Sequence, residues 1–122
     1  MREIKFRVWD KRKEKGISTK EMLYDAQKHH LWYDALDYSE VYAVMQFTGL
    51  KDKNGREIYE GDILKSFNCL IRVEFFGGCF YGNWYNDATG NMINAQLNIN
   101  NQDSEIIGNI FENPELLNEK TV

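Results

Sequence analysis

The sequence predicts a mainly β protein, with α+β as the alternative: a small, bent sheet or barrel built from hairpins, carrying one or two short helices. Three observations lead there. Aromatic residues make up 14% of the 122-residue chain, as seven Phe, seven Tyr and three Trp, and such side chains suit pleated, half-buried surfaces. Turn signals recur between short apolar runs, at Asn54-Gly55, Glu60-Gly61-Asp62, Gly77-Gly78 and Asn86–Asn91. Many short strands separated by turns at close spacing are the pattern of a small, strongly bent sheet.

The elements follow in order along the chain. Ile4, Phe6 and Val8 alternate with Lys5, Arg7 and Trp9, the period of two of a half-buried strand. Asp10–Lys15 is charged and ends at Gly16, so it reads as an exposed loop. Residues 19–38 support two readings. Met22, Leu23, Ala26 and Tyr33 form the apolar side of a short helix, or Leu31-Trp32-Tyr33 forms a strand. Val41–Phe47 has strand composition. Asn54-Gly55 closes a hairpin, because both residue types accept positive φ at low cost. Glu60-Gly61-Asp62 makes a second tight turn and launches Ile63-Leu64.

Leu70–Phe76 and Cys79–Tyr85 flank Gly77-Gly78 as a second hairpin with good alternation. One of its faces, Ile71, Val73, Phe75, Phe80 and Trp84, belongs in a core. The other carries Arg72, Glu74, Tyr81 and Tyr85. After the turn at Asn86–Asn91 come a strand near Met92–Leu97, a loop at Asn98–Asp103, and a last strand around Gly108-Asn109. Asn113 as N-cap, Pro114 at the first helical position and Glu115 in the first turn start a short helix. Phe6, Val73, Phe75, Phe80 and Ile110 are expected to be buried, and Lys11–Lys15 exposed.

The length fits one domain, residues 1–122, and no repeat or linker interrupts it. No apolar run approaches the ~18–20 residues that span a bilayer. The amino end lacks the apolar centre of a signal peptide, so a cytoplasmic protein is expected. A two-residue turn at Gly77-Gly78 sets Phe76 opposite Cys79 and Cys69 opposite Asn86. Cys69 and Cys79 then point to opposite faces, and two free thiols are expected. The net charge of −4 conceals an asymmetry: residues 1–20 hold eight Lys or Arg against three acids. A basic end on an acidic body either binds nucleic acid or complements the body's own field.

Three blocks carry a resemblance to a known family. They are Arg2–Asp10 (REIKFRVWD), Met45–Ile63 (MQFTGLKDKNGREIYEGDI) and Ile107–Leu117 (IGNIFENPELL). Together they resemble the YopX family from end to end. The resemblance implies a phage or prophage origin, a bacterial host cytoplasm, and a mainly β fold with an SH3-like barrel element. It implies no catalytic or binding residues.

No constellation for catalysis is legible. Glu57, Glu60 and Asp62 could form an acidic cluster, but turn positions call for these residue types anyway. Asp52-Lys53-Asn54-Gly55 has its glycine too early for a calcium loop. His29 and His30 lack partners at zinc spacing, no serine sits in a nucleophile elbow, and no phosphate-binding loop is present. No cofactor or metal is expected, and the protein reads as non-enzymatic. Two binding features remain. Phe76, Tyr81 and Tyr85 with Arg72 and Glu74 form a candidate surface for a protein partner or a second copy. Arg7, Lys11, Arg12, Lys13 and Lys15 beside Trp9 form a candidate nucleic-acid contact, although the pI of about 5.2 is far from basic.

Overall fold

The computed structural model describes residues 3–11, 22–30, 32–66, 69–86, 88–97 and 103–118. The chain divides into two compact units, Met1–Phe47 and Thr48–Val122. The fold is mainly β, with antiparallel sheets and short helices, as the aromatic and turn-rich sequence predicts.

In the first unit β1 (Phe6–Asp10) lies between β2 (Met22–Tyr24) and the start of β3 (Tyr42–Lys51), antiparallel to both. A 3-10 turn, Ala26–Lys28, and the helix α1, Trp32–Asp37, lie between β2 and β3 in sequence. Of the two readings of residues 19–38, neither survives whole. Met22 and Leu23 are in a strand, and Trp32 and Tyr33 open a helix. Val8, Ala26 and Ala35 form the buried core, with Leu23, Trp32, Tyr42 and Val44 packed against it.

Strict alternation fails along β1, where Arg7, Val8 and Trp9 are all buried while Ile4 is 64% exposed. Side chains of both parities are buried here, so β1 is covered on both faces, whereas the period-two pattern expresses only one of them. Phe6 is half-buried and packs its ring against Trp32, with centroids 5.1 Å apart.

In the second unit β3 ends beside β4 (Glu57–Tyr59). A five-stranded sheet follows, in the order β8 (Asn91–Gln96), β7 (Cys79–Asn86), β6 (Cys69–Phe76), β5 (Asp62–Ser66), β9 (Glu105–Asn109). Its core is Ile58, Leu64, Val73 and Ile106, flanked by Leu50, Ile71 and Leu97. The Gly77-Gly78 turn has the predicted register, Phe76 opposite Cys79, with both glycines at positive φ. Phe80 and Val73 are buried as expected and Ile110 is half-buried.

Phe75 is the exception, at 42% exposed. It sits two residues beyond Val73, about 7 Å further along the strand, and past the core cluster. Its ring rests instead on Phe80, with centroids 4.9 Å apart.

The Asn54-Gly55 hairpin forms, but with a different turn. Gly55 alone of the pair takes positive φ, at 82°, and the amide of Asp52 donates to the carbonyl of Arg56 at 2.8 Å. The loop is therefore three residues long, a turn followed by a left-handed glycine. The cause is the Asp52 side chain. Its Oδ1 accepts from the amides of Asn54 and Arg56, each at 2.9 Å, and its Oδ2 accepts from the amide of Ile106 at 3.0 Å.

One carboxylate thus joins the turn to β9, more than fifty residues away. Burial pushes the Asp52 carboxyl up, but the hydrogen bonds from Ile106, Arg56 and Asn54 and the charge of Arg56 outweigh burial. The result is a pKa below the ordinary 3.8.

Comparable closures recur. The Thr48 hydroxyl donates to the Ile58 carbonyl and accepts from the Leu50 amide. Asp62 Oδ2 accepts from the Tyr59 amide at 2.8 Å, which closes the turn at Glu60-Gly61. Asn109 Oδ1 accepts from Phe111 and Glu112. Asn113 precedes a 3-10 helix, Pro114–Asn118, and its Oδ1 accepts from the Asn109 amide.

The Asp52 closure has a measurable consequence. Asp52→Asn replaces one accepting oxygen by a donor and strands at least one buried amide, so urea denaturation should show a loss of roughly 1–3 kcal/mol. A depressed folded-state pKa makes the carboxylate's contribution fully present above pH 3.8 and lost as pH falls through the lower native value. The wild type should therefore lose stability below that pH in a way the Asn variant does not.

Candidate interaction surface

Strand parity decides which side chains share a face. In β6 and β7 the pairs Arg72–Asn83, Glu74–Tyr81 and Phe76–Cys79 share one face, and β8 extends it through Tyr85–Met92, Asn83–Asn94 and Tyr81–Gln96. The structure therefore brings Arg72, Glu74, Phe76, Tyr81 and Tyr85 onto one side of the sheet. Phe76 is 75% exposed and Met92 65%, while Tyr81 and Tyr85 are half-buried.

A polar chain crosses this face. Arg72 Nε pairs with Glu74 Oε1 at 3.0 Å, the Asn83 amide donates to Glu74 Oε2, and the Asn94 amide donates to Asn83 Oδ1. The two amides thus link three strands side to side, and the ion pair lies within β6. Exposed charge pairs contribute little to stability, so the chain's main effect is to orient these groups on the face. Asn83 was within reach of sequence reasoning, because it lies between Tyr81 and Tyr85 at the same parity. Asn94 and Met92 were not, since their register depends on the length of the turn before β8.

Of the basic candidates, Arg7 and Lys11 are described. Arg7 is buried, at 2% exposure, with its guanidinium 5.9 Å from the Tyr24 ring centroid. It is an interior residue of the first unit and not a solvent-facing cation. Lys11 is exposed, and its Nζ donates to the Ser39 carbonyl at 2.9 Å. Arg12, Lys13 and Lys15 lie outside the described residues. Of the acidic alternative, Asp62 is buried and committed to its turn. Among the described residues no three His, Cys, Asp or Glu side chains converge as a metal site would require. Cys69 and Cys79 are free thiols, as strand parity predicts. Among the described residues no helix is long and apolar enough to cross a membrane.

A family model described as YopX protein matches residues 5–118, nearly the whole chain. The chain belongs to the YopX family. The three blocks that carry the resemblance hold the turn closures at Thr48, Asp52, Asp62 and Asn109. The face on β6, β7 and β8 lies between the second and third blocks. No curated protein matches the chain. A solved structure, the crystal structure of protein EF1440 from Enterococcus faecalis, is similar at 25% identity. The match covers 96% of this chain and 99% of that one, with a TM-score of 0.41.

Two substitutions separate surface from interior. Glu74→Ala removes the centre of the polar chain yet should change unfolding free energy by no more than about 0.5 kcal/mol. Arg7→Ala removes a buried side chain with its packed stem, and should cost roughly 1–3 kcal/mol in the same urea titration.

Proposed function

We propose that this protein is a non-enzymatic phage or prophage accessory module that acts in the host cytoplasm through protein–protein contact, including association with its own copies. The outer face of β6, β7 and β8 is the contact surface. The second unit, with the SH3-like character that family resemblance implies, is its scaffold. The observation that carries this reading is the hairpin end. Phe76 stands 75% exposed, with the half-buried Tyr81 and Tyr85, on the same face as the Arg72–Glu74–Asn83–Asn94 chain. Large aromatics grouped on an exposed sheet seldom persist in a monomer without a use. Aromatic and arginine side chains with a polar border are the make-up of contact centres.

The test pairs Phe76→Ser with Tyr81→Ser. Wild-type protein should sediment above the 14.4 kDa of one chain, or retain defined host proteins on a column after nuclease treatment. The double variant should lose both behaviours while melting within a few degrees of wild type. A monomer at every concentration that retains nothing, or a variant that behaves as wild type, contradicts the proposal. Retention that nuclease abolishes, and that weakens by orders of magnitude between ~50 and ~200 mM salt, favours nucleic acid through the basic end instead.

A further inference from the structure

The five-stranded sheet has two edges, and they are built differently. An open edge presents unpaired N–H and C=O groups to any other strand, and natural sheets blunt such edges with charge, proline, bulges or short length. The β9 edge is blunted. Its pairing with β5 shifts register at Ile63/Leu64, and Glu105 on it is paired with Lys53 at 3.5 Å. The edges β2 and β4 of the other sheet are three residues long. The β8 edge, Asn91-Met92-Ile93-Asn94-Ala95-Gln96, is six residues long and carries no charge, no proline and no register shift. Five of those six residues are exposed.

Which backbone groups face outward follows from one hydrogen bond. The amide of Leu97 donates to the Phe80 carbonyl at 3.0 Å. Hydrogen-bonded and non-bonded positions alternate along an antiparallel pair. Ile93 and Ala95 therefore point their backbone groups at β7, and Met92, Asn94 and Gln96 point theirs the other way, where no strand among the described residues pairs with β8.

We propose that β8 pairs antiparallel with β8 of a second copy about a two-fold axis through Asn94, fusing the two five-stranded sheets into one. This deepens the self-association reading above by naming the partner and the joint. Outward-facing positions must oppose outward-facing positions, and the register that pairs all three of them at once has its axis at Asn94. Asn94 then meets Asn94 of the second copy, Met92 meets Gln96, and Ile93 meets Ala95. Each opposition is compatible. Facing amides can bond to each other, the apolar pair lies on the core side of the sheet, and no like charges meet. The polar chain from Arg72 to Asn94 then runs on into the second copy.

The two-fold at position 94 yields a test that loss of folding cannot imitate. Asn94→Lys and Asn94→Asp, each alone, set like charges opposite each other and should weaken dimerisation roughly tenfold or more in sedimentation velocity. Mixing the two variants should restore a dimer, since Lys then faces Asp. Asn94→Pro deletes an outward amide and no bond to β7, so it should abolish the dimer with little change in melting temperature. A wild type that stays monomeric at its highest soluble concentration overturns the inference. So does a dimer that ignores all three substitutions, or a mixture that fails to recover. If Phe76→Ser and Tyr81→Ser dissociate the protein while the Asn94 variants do not, the contact face stands and the edge joint falls.

Discussion

Three backbone amides converge on one buried carboxylate in the second unit, and much of that unit's closure hangs on it. Hydrogen bonds to a charged acceptor contribute about 1.5–3 kcal/mol each before burial is charged against them. At Asp52 they outweigh burial, which is why the carboxyl's pKa lies below its ordinary value. The bond to Ile106 matters most for the fold. It fastens β9, an edge strand with a shifted register on β5, to a turn from a distant part of the chain. Arg56 reinforces the same join through the Ile106 carbonyl at 3.3 Å, and the Lys53 amide donates to the carbonyl of Ser104.

The recognisable blocks of sequence are where such closures sit. Thr48, Asp52, Asp62 and Asn109 are all buried, and each spends its side chain on backbone groups that a tight turn or a strand end leaves open. A buried polar side chain bonded in this way is costly to replace, because its partners are left unsatisfied. These blocks therefore speak of the fold. The features suited to contact, Phe76, Tyr81, Tyr85 and the polar chain, come from β6 to β8, between the second and third of those blocks.

Much of this was legible in the sequence wherever a rule acts locally. The Gly77-Gly78 turn has few backbone solutions, so it predicted the β6–β7 register and with it the separation of the two thiols and the grouping of Tyr81 with Tyr85. What was not legible depends on distant partners. Asn54-Gly55 signals a hairpin, but its turn type is decided by the Asp52 side chain and by Ile106, far along the chain. Arg7 reads as the polar side of a strand, yet side chains on both faces of that strand are buried. Phe75 has the parity of a core residue and lies beyond the core's end. Residues 22–37 carry apolar residues compatible with either period, and packing around Val8 and Ala35 selects strand, turn and helix in succession.

A scaffold closed by buried polar groups, with an open strand and an aromatic face left at one side, is the physical content of the functional proposal. The closed turns and the β8 edge differ in how they respond to a second copy of the chain. Amide hydrogen exchange followed against protein concentration reads both at once. The account predicts slow exchange at every concentration for the Ile106 and Arg56 amides that Asp52 holds. For Met92, Asn94 and Gln96 it predicts exchange that slows only as concentration rises, while Ile93 and Ala95 stay protected throughout. Rapid exchange at Ile106, or rates at Met92, Asn94 and Gln96 that do not change with concentration, would contradict it.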